Sequence, residues 1–114
     1  MKTIIAGSRG LTGAGLISSA VSQSGFDVTE VVSGTARGID SSGEDWAWDC
    51  QLPVKRFPAD WKTHGRSAGY KRNEQMAAYA DALIAIWDGK SRGTQHMVDI
   101  ARKEGLEISV FTVK

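Results

Sequence analysis

The side chains of this chain best suited to chemistry stand in the stretch Ser33-Gly34-Thr35-Ala36-Arg37-Gly38-Ile39-Asp40, which begins where a β-branched run ends. Gly34 and Gly38 permit positive φ and let a ligand approach the backbone. Ser33, Thr35 and the amides opening the next helix can surround an anion, and Arg37 adds a planar cation suited to phosphate. Asp40 is placed either to take a ribose hydroxyl or to cap that helix. Two further turns have the same make-up: Gly7-Ser8-Arg9-Gly10, and Asp88-Gly89-Lys90-Ser91-Arg92-Gly93-Thr94. Each follows an apolar run and offers glycines, hydroxyls and an arginine, which together suit a phosphorylated ligand.

Such turns act together only if the elements around them bring them to one place. Residues 3–6 read as a central strand, 11–24 as a helix with Gly25 as its cap, and 28–32 as a second strand. The two glycines of the first helix suggest close packing on the sheet. After the 33–40 turn, Ile39, Gly43, Trp46, Ala47 and Cys50 keep helical spacing, so Trp46 and Cys50 are expected in the core, while Trp48 falls opposite them as an interface anchor or a partly covered surface ring. Residues 53–57 form a third strand whose Pro53, Lys55 and Arg56 mark a sheet edge. The polar segment 58–67 reads as a long loop, a candidate lid. Its Trp61 would either stack on a base or, as expected here, fasten the loop to the body. A helix over 68–80 places Asn73, Met76, Ala77 and Ala80 on one stripe with Arg72 beside it. Residues 82–87, the longest apolar run, form another central strand, followed by a helix from about 94 to 103 and a closing strand over 107–113.

This alternation predicts one Rossmann-like domain over residues 1–114, a doubly wound parallel five-stranded sheet in the order 3-2-1-4-5 with helices on both faces. All strand-to-helix turns then share the carboxyl edge, and the crevice falls between strands one and four. Arg9, Arg37 and Arg92 are expected to converge on one rim, with Arg72 and Asn73 looking into the crevice.

Composition narrows the partners. Fourteen basic residues against thirteen acidic ones give a net charge of +1, which argues against nucleic acid and anionic membranes as general targets. Only Trp61, Lys62, Arg66 and Lys71 offer a small patch for single-stranded DNA. Cys50 is the only cysteine, so no intramolecular disulfide forms. His64 and His96 lack companions at metal spacing, and no metal or cofactor is expected. The lack of a signal-like or membrane-length apolar run suggests a cytoplasmic protein, and an exposed Trp48 would suit a homo-oligomer.

Ile-Ala-Gly-Ser-Arg, Val-Ser-Gly-Thr-Ala-Arg-Gly-Ile-Asp, Pro-Ala-Asp-Trp, Gly-Tyr-Lys-Arg-Asn-Glu-Gln-Met and Ser-Arg-Gly-Thr occur here in that order. The set resembles the YspA-type, YpsA-related branch of the SLOG superfamily. Its second motif is similar to one in Smf/DprA, and the segment from Arg72 to Met76 resembles the arginine helix of the LOG phosphoribohydrolases. The resemblance implies a Rossmann-like domain that binds nucleotides or nucleotide-derived ligands, with N-glycosidic cleavage in some members. Where LOG enzymes carry a working glutamate after their fourth strand, this chain has Met97, which cannot serve as acid or base. A hydrolase would need Arg72 together with another carboxylate, Glu74 or one of Asp40, Glu44 and Asp88. The leading expectation is a domain that senses or sequesters an ADP-ribose-like ligand held by Gly7, Ser8, Arg9, Ser33, Gly34, Thr35, Arg37, Gly38, Asp40, Arg72, Asn73, Asp88, Ser91, Arg92, Gly93 and Thr94. The alternative is a nucleotide N-glycosidase.

Overall fold

The computed structural model describes residues 1–113. Five parallel strands, β1 (Lys2–Gly7), β2 (Glu30–Ser33), β3 (Val54–Arg56), β4 (Ala82–Trp87) and β5 (Glu107–Thr112), form one sheet in the order β3-β2-β1-β4-β5. This is the Rossmann-like order expected from strand hydropathy. Strands β1 and β4 are apolar on both faces because both faces are covered. Ile4, Leu83 and Ala85 pack on one side with α4 (Ala68–Tyr79) and α5 (Arg92–Lys103), through Met76, Ala77, Met97 and Val98. Ile5, Ile84 and Ile86 pack on the other with α1 (Ala14–Ser24) and α2 (Ile39–Asp49), through Ile17, Ala20, Ile39 and Ala47. Strand β3 is an edge, with Lys55 and Arg56 exposed.

Several local expectations are corrected. The first helix begins at Ala14, and its glycines do not pack tightly: side chains added at Gly13 or Gly15 would meet nothing within 4 Å. The tight positions are Gly43, where a Cβ would lie 3.1 Å from Ile5 Cγ2, and Gly7, where it would lie 2.0 Å from the Ile86 carbonyl oxygen. The segment expected as a loop over 58–67 contains a short helix, α3 (Trp61–His64), and a 3₁₀ turn, Gly65–Ser67. Asp60 starts α3 by accepting the Thr63 amide at 3.1 Å. Helix α5 starts at Arg92, two residues early, because Ser91 caps it by accepting the Thr94 amide. Trp46 is only partly buried, against the α1/α2 core, and Trp48 is 83 % exposed. Cys50, expected to be buried, is exposed because it sits past the last turn of α2, where the helical stripe no longer continues.

Gly7→Ala is expected to cost stability at the upper end of roughly 1–3 kcal/mol, since a backbone carbonyl cannot move aside as a side chain can. Gly15→Ala, in open space on a helix, is expected to gain roughly 0.5–1 kcal/mol. Chemical denaturation midpoints of the two variants should move in opposite directions.

Candidate functional site

The carboxyl edge of the sheet opens between β1 and β4, where the strand order reverses. Pairing ends there with Gly7 opposite Ile86. The following turns are then tied across the gap: the Ser8 amide donates to the Ile86 carbonyl at 3.1 Å, and the Asp88 amide donates to Ser8 Oγ at 3.1 Å. Between these turns lies a crevice of about 330 Å³. Its β1 side is Ala6, Gly7, Ser8 and Arg9, and its β4 side is Asp88, Ser91, Gly93 and Thr94. Ala36 and Asp40 close one end; Arg72, Asn73, Met76 and Met97 form the wall beneath α4 and α5.

Helix α4 brings Arg72 in because its buried stripe, Ala68, Asn73, Met76 and Ala77, faces the sheet and Arg72 stands beside it. The guanidinium bridges elements: Nε donates to Asn73 Oδ1 at 3.0 Å, and Nη1 donates to the Gly34 carbonyl. Asn73, 5 % exposed, also reaches toward α5, with Nδ2 3.4 Å from the Gly93 carbonyl oxygen and 3.1 Å from His96 Nδ1. Burial lowers the pKa of Arg72, and Asp40 opposes that shift.

Asp40 is the most perturbed group. It is 5 % exposed, inside the first turn of α2, and its Oδ2 accepts the Ala36 amide at 3.2 Å, so it ties down the preceding turn instead of capping the helix. Burial pushes its carboxyl up to about 6, against the opposing pull of the Ala36 amide and Arg72. Asp40 and Arg72 flank Gly34: a Cβ there would lie 2.8 Å from Asp40 Oδ2 and 2.9 Å from Arg72 Nη1. Among the described residues the one ion pair within 4 Å is Arg56 with Glu44, so Arg9, Arg72 and Asp40 remain unpaired. Asp88 behaves oppositely. Its Oδ1 accepts the Lys90 and Ser91 amides at 2.8 and 3.0 Å, which lowers its pKa and shapes the turn.

Not every expected residue reaches the crevice. Arg37 and Arg92 are exposed and do not line it, so the arginines from three turns do not share one rim. Gly38 instead lets the β1 and β2 turns touch: at φ 77° its missing side chain would overlap the Arg9 carbonyl. Ser33 is buried, donating to Glu44 Oε2 at 2.6 Å and accepting the Thr35 amide. Thr35, with positive φ, and Gly34 line a smaller neighbouring pocket. Glu74 is exposed about 200° around α4 from Arg72 and cannot face the crevice. Glu44 is engaged with Arg56. Met76, on the same stripe as Asn73, belongs to the core and is also a wall of the site, a role signalled by its spacing of four from Arg72. No cluster of three His, Cys, Asp or Glu side chains suited to a metal occurs among the described residues, nor does a helix long and apolar enough to cross a membrane.

Fold and crevice together define a Rossmann-like domain with a polar ligand cleft at its switch point. Residues 1–64 match the YspA, cpYpsA-related SLOG family, and the chain belongs to that family. It is also similar to the "Gene 61 protein" of Mycobacterium phage D29, with 38 % identity over 87 residues covering 71 % of this chain and 70 % of that protein. SLOG membership associates the protein in general with binding or processing of nucleotide-related ligands.

Asp40 gives the fold a pH signature. Its native pKa of about 6 lies above the ordinary carboxylate value, so the native state holds the proton more tightly than the unfolded chain. Stability is therefore favoured below about pH 4, declines as pH rises to about 6 and is flat beyond, by on the order of 2–3 kcal/mol. Asp40→Asn should be more stable than the parent at pH 8, with the gap closing toward pH 4. Urea titrations across this range test it, and a pH-independent gap would contradict it.

Proposed function

We propose that the crevice binds a nucleotide-derived phosphorylated ligand of ADP-ribose-like chemistry, and that the protein senses or sequesters it. The observation that carries this reading is the convergence, on one crevice at the switch point, of the Gly7-Ser8-Arg9 turn, the amino end of α5 and an Arg72 guanidinium free of any carboxylate partner. A helix amino terminus favours an anion through its open amides and its dipole. Arg72 is held by a carbonyl and a side-chain amide, both neutral, so its charge remains available to phosphate. Buried Asp40, on the other side of Gly34 from Arg72, suits a hydroxyl donor such as a ribose.

ADP-ribose at roughly 1 mM, if bound with Kd of about 10 µM, stabilises the fold by about 2.7 kcal/mol, which raises Tm by roughly 10 °C in a domain of this size. Arg72→Ala is expected to lose most of that shift. Absence of any shift in the parent protein with ADP-ribose, NAD and nucleoside monophosphates would overturn the reading.

A second reading, hydrolysis of an N-glycosidic bond, is favoured by one observation: a buried carboxylate, Asp40, lies in the same crevice as Arg72, in a chain where Met97 stands in place of the carboxylate of the LOG motif. In such a reaction water adds at C1′, the bond from C1′ to the base nitrogen breaks, and the base leaves with the proton. Ionised Asp40 would offset the positive charge developing on the sugar. Release of free base should then rise with pH through about 6 and fall about 100-fold or more in Asp40→Asn. Chromatography of the products distinguishes cutting from holding, and an unchanged nucleotide leaves the binding reading alone.

A further inference from the structure

We propose that the cleft continues past Arg72 into an aromatic-walled pocket that seats the base of the ligand. This rests on the reading of the main crevice as a nucleotide site and adds to it the place and chemistry of the base. The second pocket, of about 130 Å³, is walled by Pro58, Ala59 and Trp61 on one side and by the Gly34–Ala36 turn on the other. Arg9, Ala36 and Arg72 line both cavities. The two are therefore compartments of one cleft, with two cations at their junction.

Trp61 is the flat surface of the smaller compartment. The residue is 54 % exposed, so about half of its surface remains open to the pocket and solvent. The indole edge rests on α4: a Cβ on Gly69 would lie 3.7 Å from Trp61 Cη2 and 3.6 Å from Arg72 Nη2, so the indole and the guanidinium converge above the same glycine. The backbone that carries the ring is held by a cap. Asp60 caps the short helix that carries Trp61, and the Thr63 donation holds the Asp60 carboxyl below its ordinary pKa, so the cap stays ionised at neutral pH. Across the pocket Thr35 holds φ at 63°, an unfavourable conformation for a β-branched residue and of the kind that concentrates at ligand sites.

The lining selects the occupant. Proline, alanine and indole offer flat apolar area, and no carboxylate lines the pocket. That surface suits a planar uncharged ring attached to an anion, and stacking of this kind tolerates any base because each presents a π face. At about 130 Å³ the compartment is smaller than a closed cavity that holds benzene, so it takes one face and edge of a ring and leaves the rest in solvent. The sugar then crosses the Arg9–Arg72 junction, and the phosphate lies in the main crevice toward Gly7 and α5.

Isothermal titration calorimetry of the full chain with ribose 5-phosphate and with the four common nucleoside 5′-monophosphates tests this. The base should add roughly 5- to 150-fold in affinity over ribose 5-phosphate, the equivalent of about 1–3 kcal/mol of stacking. Trp61→Ala should remove that advantage and leave ribose 5-phosphate binding unchanged, while Trp61→Phe retains most of it. Equal affinity for ribose 5-phosphate and every monophosphate, or a Trp61→Ala variant that keeps the difference, overturns the base pocket and leaves the phosphate site standing. A Trp61→Ala variant that weakens ribose 5-phosphate equally also overturns it. Failure of all five ligands to bind the parent overturns the base pocket, and failure of ADP-ribose and NAD as well overturns the phosphate site with it.

Discussion

The carbonyl oxygen of Ile86 lies where a side chain on Gly7 would have to be. That contact sets the site, because it lets the two central strands run together to their last paired residues before their turns separate. Beyond it the Ser8 amide and hydroxyl span the gap to β4, so the crevice opens from a closed seam instead of a frayed end. A side chain at position 7 would force the strands apart and unfasten both turns. The cleft is therefore a consequence of how the β1–β4 pair ends, and the fold supplies its floor before any ligand-facing residue is considered.

Arg72 gives the cleft its inner wall in a comparable way. Moving a guanidinium out of water is costly unless its N–H groups are met, and here Asn73 Oδ1 and the Gly34 carbonyl meet them from two different elements. The same contacts bind α4 to the β2 turn, and Asn73 extends the network to α5. A residue beside the apolar stripe of one helix thus holds together three segments that are distant in the sequence.

The order of the sheet was legible because strand hydropathy reports burial directly. Runs such as Ala82–Trp87 are apolar on both faces and belong at the centre, whereas Lys55 and Arg56 mark an edge. Helix spacing placed Arg72 and Asn73 correctly beside the cleft for the same reason. The aim of side chains in turns was not legible, because it depends on single backbone angles. Arg37 follows Thr35, whose φ of 63° redirects the chain, and it ends on the outer surface while the backbone of Gly38 packs against Arg9. Arg92 begins α5 and faces solvent, although Gly93 and Thr94 next to it reach the crevice. Cys50 failed for a boundary reason, since a helical stripe says nothing about a residue one place beyond the last turn. The sequence reading treated Asp40 as either a ligand group or a cap, and only tertiary structure, through its burial and the Ala36 amide, distinguishes it from an ordinary first-turn carboxylate.

The separation of Asp40 from Arg72 is the more informative half of that result. Two buried opposite charges could have closed into an ion pair, and a closed pair would cancel the field that an anionic ligand needs. Here they stay apart across Gly34, with Arg72 anchored by neutral acceptors and Asp40 by a backbone donor. Each therefore keeps its hydrogen-bond geometry without consuming the other's charge. The desolvation that raises Asp40 to about 6 is only partly offset by the Ala36 amide and the Arg72 charge, a cost the fold carries at one position in the cleft. Asparagine would keep the Ala36 hydrogen bond without that cost. The cleft wall therefore presents two polar groups of opposite sign on either side of Gly34, neither neutralised by an ion pair with the other.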